Sequence, residues 1–135
     1  MQVPKTNPVR RNSRVGPLLL PASGRSGPAP RWPLPGKVDP FELAAWTQLW
    51  TTPQSVAWEN LGWTRTVARY CRVMVAAERP DATGTVLTQA TMMEDRLGLT
   101  PRAMRMLLWQ IAPDEVTEKR DEHAAGSARE RMKAV

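Results

Sequence analysis

The sequence predicts an all-α protein. It should have about five short helices in a small core, a disordered basic proline-rich arm before it and a charged tail after it. Three observations lead there. From residue 39 onward, apolar residues recur at three- and four-residue spacing, with no strand-like alternation. A capping residue followed by proline occurs three times, at Asp39-Pro40, Thr52-Pro53 and Thr100-Pro101. The first 38 residues hold Lys5, Arg10, Arg11, Arg14, Arg25, Arg31 and Lys37 with no acid, and eight of the 13 prolines. Residues 39–112 balance seven acids against seven bases, and 113–135 hold six acids and five bases. The surplus charge of +6 therefore lies in the arm.

The arm, residues 1–38, is too polar and too proline-rich to offset the entropy of ordering it, so it is expected to be extended. As a coil it would span about 35 Å. Trp32 lies alone among its prolines, and packing back on the domain is its expected role, with base stacking the alternative.

Asp39 and Pro40 open the first helix, with Glu42 three residues after the cap. Its stripe is Phe41, Leu43, Ala45, Trp46, Leu49 and Trp50. Thr52-Pro53 opens a short second helix carrying Val56, Ala57 and Leu61, which Gly62 ends. A third spans about 63–78, with Trp63, Val67, Tyr70, Met74 and Ala77 on one face and Arg65, Arg69 and Arg72 on another. After Arg79-Pro80-Asp81, a fourth runs over 84–97 through Val86, Ala90, Met93 and Leu97, with Gly98 just past its end. Thr100-Pro101 restarts a fifth, with Met104, Leu107, Leu108 and Ile111 as its face, and Pro113 stops it. Residues 113–135 lack an apolar stripe and read as a flexible charged tail.

A folded part of this size is marginal without staples, a metal or self-association. Cys71 is the only cysteine and His123 the only histidine, so neither a disulfide nor a four-ligand zinc site is expected. Self-association is the remaining supplement. The six tryptophans and seven methionines serve either a small core, the expected use, or an interface. The longest clean apolar run near the front, Leu18–Leu20, predicts neither a membrane span nor an export signal, and the prolines argue against a transit peptide. One cysteine without an export signal points to a reducing cytoplasm.

No catalytic site, cofactor or metal is expected. Gly36-Lys37 lacks the phosphate-loop context, and His123 has no triad partners. The acid pairs Glu94-Asp95 and Asp121-Glu122 diverge on a helix, and Cys71 reads as a buried structural thiol. Three cationic features are candidates for DNA contact. The first is the arm, whose cations would release counterions from phosphates. The second is the Arg65/Arg69/Arg72 row, for which an ordinary solvated face is the expected reading. The third is a helix–turn–helix-like stretch, Thr91–Ile111, with Arg102 and Arg105 opening its second helix; plain helical hairpins share such joints.

The stretch Leu61-Gly-Trp-Thr-Arg-Thr-Val-Ala-Arg-Tyr-Cys-Arg through Glu78, with Met93-Glu-Asp-Arg-Leu-Gly-Leu-Thr-Pro-Arg-Ala-Met-Arg through Trp109, resembles the small terminase subunit of tailed bacteriophages, especially those of actinobacterial hosts. Arg10–Pro17 and Gly27–Pro35 are similar to the leader of that group, so the resemblance spans about 10–112. It implies a non-enzymatic adaptor that forms a homo-oligomeric ring in the host cytoplasm. Such an adaptor recognises viral double-stranded DNA and delivers it to the large terminase subunit, and the tail after Pro113 is the candidate grip on that subunit. Many members begin with a clear helix–turn–helix domain, whereas here the basic arm comes first. The expected DNA-binding set is therefore Lys5, Arg10, Arg11, Arg14, Arg25, Arg31, Lys37, Arg102 and Arg105. Two alternatives stay open: a protein-interaction adaptor in head or connector assembly, and a helix–turn–helix transcriptional regulator.

Overall fold

The computed structural model describes residues 16–113 and 115–134, with backbone only over 115–121. Its elements run β1 (Leu18–Pro21), α1 (Pro40–Leu49), α2 (Gln54–Leu61), α3 (Thr64–Ala77), α4 (Gly84–Arg96), α5 (Pro101–Leu107), β2 (Trp109–Ala112) and α6 (Glu115–Lys133). The protein is mainly helical. Among the described residues, no helix is long and apolar enough to cross a membrane.

Local chemistry sets the helix starts. The Asp39 carboxylate accepts from the Phe41 N–H at 2.8 Å, and Pro40 takes the first helical position. The Thr83 and Thr100 hydroxyls accept from the N–H groups of Val86 and Ala103 in the same way. Gly62 and Gly98 close α2 and α4 with φ of 71° and 73°. α1 and α4 both pack on α3.

The core is a chain of indoles. Trp32 meets Trp46 with ring centroids 5.2 Å apart, Trp46 meets Trp50 at 5.3 Å, and Trp50 meets Trp58 at 5.8 Å, each edge to face. Such contacts add about 0.5–1.5 kcal/mol each beyond the area they bury. The Trp46 indole donates to the Pro30 carbonyl (2.8 Å), and that of Trp58 to the Leu97 carbonyl at the end of α4 (2.9 Å). The N–H groups of Trp32 and Trp50 are buried without an acceptor among the described residues. Leu20, Ala45, Ala57, Val67, Ala68, Tyr70, Cys71, Leu97 and Trp109 pack with them in this core.

The structure corrects four expectations. Residues 16–38 are packed rather than free. Leu20 is fully buried, β1 pairs in parallel with β2 from Leu18↔Trp109 to Pro21↔Ala112, and Ala29, Trp32 and Leu34 lie against the core. Proline lowers the entropy lost when a chain is fixed in an extended path, so this segment can be strapped down by few contacts. The fifth helix ends at Leu107, because Leu108 takes φ 58° and turns the chain into β2. Leu107, Leu108 and Ile111 are consequently exposed. Phe41, Leu43 and Leu61 also lie outside the core, at 73, 43 and 53% exposure. The tail is helical over α6: Glu, Lys, Arg and Ala favour a helix without an apolar stripe. From Glu122 to Ala134 every side chain but Ser127 is exposed.

Gly98 is where α4, β2 and the core meet. A Cβ there would lie 2.3 Å from the Trp109 ring, at a φ that side chains resist. At Gly62 the φ is similar but the space is open. Gly62→Ala should therefore cost about 1 kcal/mol, and Gly98→Ala clearly more, by about 2 kcal/mol or above. Urea unfolding of the two variants checks this ordering, and equal midpoints would contradict it.

Candidate nucleic-acid interface

Five arginines from four segments line three grooves, two of which share Arg96. Arg31 and Arg65 flank a groove floored by Trp32, Pro33, Leu34 and Pro35. One helical turn along α3, Arg69 faces Arg96 across a groove formed by Thr66, Val73, Gln89 and Met93. Arg96 then shares a third groove with Arg102, over Ala103, Met106 and Leu107. All five side chains are exposed. Among the described residues, ion pairs are formed by Arg25 and Arg72 instead.

The elements beneath hold this row in place. The Tyr70 hydroxyl on α3 donates to the Glu94 carboxylate on α4 at 2.9 Å, locking the two helices that carry Arg69 and Arg96. Burial and that carboxylate push the phenol well above its usual range. Asp95, which lines the third groove together with the two arginines, accepts from the Thr100 hydroxyl at 2.8 Å. The same hydroxyl caps α5, so the Asp95–Thr100 bond fixes the α4–α5 joint that presents Arg102.

The sequence-derived candidates fall into three groups. Lys5, Arg10, Arg11 and Arg14 lie outside the described residues. Arg31, Lys37, Arg102 and Arg105 are exposed. Arg25 is a structural residue rather than a free cation. Its guanidinium makes two bonds to the Glu59 carboxylate (2.7 and 3.2 Å) and one to the Pro28 carbonyl, and it lies 5.7 Å from the centroid of the Trp50 ring. Gly24 permits this approach, since a Cβ there would collide with the Thr51 carbonyl. Arg72 is similarly engaged, 3.6 Å from Glu42 and 5.7 Å from the Trp32 centroid. The Arg65/Arg69/Arg72 row thus divides: two residues face the grooves and one joins α3 to α1.

Sequence reasoning passed over Arg96. Its signal was present, since Gln89, Met93 and Arg96 share one face of α4. That this face meets Arg69 depends on the packing of two helices.

A comparison with protein-family models, curated proteins and solved structures finds no match. The chemistry of the site therefore rests on the residues themselves. Unpaired guanidinium groups along a groove attract a polyanion and suit phosphate oxygens. Among the described residues, no three His, Cys, Asp or Glu side chains gather as metal ligands. Cys71 is fully buried, and its thiol is pushed up to about 12 chiefly by that burial, so no thiolate is on hand at neutral pH.

The Arg25–Glu59 pair carries a pH signature. Hydrogen bonding to Arg25 holds the Glu59 carboxyl below its usual range. A depressed carboxylate stabilises the fold above the ordinary pKa of about 4.3, and that contribution disappears as pH falls through the native value. The chain should therefore melt slightly above Glu59→Gln at neutral pH, with the difference closing in acid. Thermal melts across a pH series check this, and a margin that persists in acid would contradict it.

Proposed function

We propose that this chain is a non-catalytic, double-stranded-DNA-binding adaptor of the small-terminase kind, presenting viral DNA to a large terminase subunit in the host cytoplasm. The observation that carries the reading is the set of exposed arginines Arg31, Arg65, Arg69, Arg96 and Arg102, which line three grooves and form no ion pair among the described residues. The resemblance at Leu61–Glu78 and Met93–Trp109 supports it, because those two segments contribute Arg65, Arg69, Arg96 and Arg102.

The mechanism is electrostatic. Each arginine that meets a phosphate releases condensed counterions, so affinity falls with salt and depends little on sequence. The arginines stand on packed elements, so binding has to order their side chains but not the backbone beneath them. The four cations of residues 1–15 add charge in front of it. Arg105 lies beside Arg102 at i+3 on α5 and extends the row toward β2.

Binding to duplex DNA by the full chain, followed by fluorescence anisotropy across a salt series, tests the reading. Each lost phosphate contact reduces the slope of log K against log salt by about 0.9. Arg65→Ala combined with Arg69→Ala should flatten the slope by about 2, whereas Arg25→Ala, read below its melting point, should leave it unchanged. Truncation to residue 16 removes cations while keeping β1, and so separates the leader's share from that of the grooves. A slope indifferent to Arg65 and Arg69 would refute the row as the contact surface. Absence of binding at low salt would favour a protein-interaction adaptor.

A further inference from the structure

Of the three arginine-lined grooves, the one between α3 and α4 has a composition of its own. Thr66, Arg69 and Val73 come from α3, and Gln89, Met93 and Arg96 from α4. The set is two guanidinium groups, a hydroxyl and an amide beside half-buried Val73 and Met93, with no carboxylate. By contrast, Asp95 lines the third groove, and the first has neither a hydroxyl nor an amide side chain. α3 and α4 pack together and are joined through residues 78–83, so they run antiparallel. The Tyr70–Glu94 hydrogen bond fixes their register. Arg69 precedes Tyr70 by one residue and Arg96 follows Glu94 by two, so the two side chains leave their helices at nearly the same level. Like charges set opposite one another repel, and among the described residues neither arginine has an ion pair to relieve this.

We propose that this groove is a seat for one phosphomonoester dianion, bridged by Arg69 and Arg96. Each planar guanidinium matches two phosphate oxygens at once, and Thr66 and Gln89 can donate to the others. Charge selects the ligand. A phosphomonoester carries about −1.5 to −2 at neutral pH, whereas each phosphodiester along a nucleic-acid strand carries a single charge. Two facing cations therefore favour the monoester. The groove encloses about 300 Å³, the low end for small-ligand sites, so it takes one small group. Free phosphate compounds and the 5′-terminal phosphate of a nucleic-acid strand share this chemistry. The inference uses two arginines of the DNA reading but does not rest on it. A surface that grips backbone phosphates needs no preference for a terminal one, and a phosphate seat needs no duplex.

Phosphorus-31 NMR titration of the full chain at about pH 8, where inorganic phosphate is mainly dianionic, tests the proposal. Inorganic phosphate should bind saturably and at least about tenfold more tightly than dimethyl phosphate, a monoanion. Arg69→Gln and Arg96→Gln should each weaken it by about tenfold or more, since each removes charge-assisted bonds. Arg79→Gln, an exposed arginine that lines none of the three grooves, should not. Gln suits a helix, and far-UV circular dichroism verifies the fold. A second arm compares duplexes of one sequence with a 5′-phosphate or a 5′-hydroxyl. A preference for the phosphate that both Gln variants abolish supports the seat and names a strand end as the source; equal binding beside a positive titration names the free compound. No binding of inorganic phosphate together with no preference between the duplexes would overturn the proposal, as would either signal persisting in both variants.

Discussion

The edge-to-face run of Trp32, Trp46, Trp50 and Trp58 is the contact on which the rest of the molecule depends. It begins in the proline-rich leader, crosses α1 and ends in α2. Both of its bonded N–H groups tie separate segments together, Pro30 in the leader and Leu97 at the end of α4. Large planar rings lose little side-chain entropy for the area they bury. A few of them can therefore hold a chain that lacks disulfides. Removing one link would loosen the leader and α4 together, since Trp46 and Trp58 are nearly or fully buried in the same cluster.

That arrangement changes what the basic leader can do. Arg25 is consumed by Glu59 and Trp50, and Arg31 lines a groove shared with Arg65. Charge in the second half of the leader is thus positioned rather than tethered. The proposed contact surface moves from a floppy polycation to arginines on a packed backbone: Arg31 and those of α3, α4 and α5. A fixed row meets a polyanion with less entropy to lose, although its neighbours' repulsion must be borne by the fold. The Tyr70–Glu94 and Thr100–Asp95 bonds brace the helices that carry it, and the second engages the acid that lines the third groove.

Local signals made the helices legible. Asp39-Pro40 and Thr100-Pro101 announced the starts of α1 and α5, and Gly62 and Gly98 the ends of α2 and α4, because caps and positive-φ positions act over a few residues. The β1–β2 pair was not legible. Four residues carry no usable period, and their partner strand lies some ninety positions away. β2 was absorbed into the fifth helix because a leucine, Leu108, makes the left-handed turn that glycine usually signals. The leader was read from composition, which registers proline and charge but not Trp32 meeting Trp46, or Arg25 meeting Glu59 across 34 residues. For the site, Arg65 and Arg69 were visible as a face, while their juxtaposition with Arg31 and Arg96 required the packing. Phe41 reads as core for a related reason: apolar residues of α1 fall on more than one side of the helix, and the sequence does not show which side faces inward.

The central claim, a fixed arginine row that grips the phosphate backbone, is most directly tested by hydrogen–deuterium exchange of the full chain with and without duplex DNA. The account predicts slowed exchange at the Arg31 segment, the first turns of α3 and the α4–α5 joint, with α1 unchanged. Protection confined to residues before Gly16, with none at those three places, would contradict it.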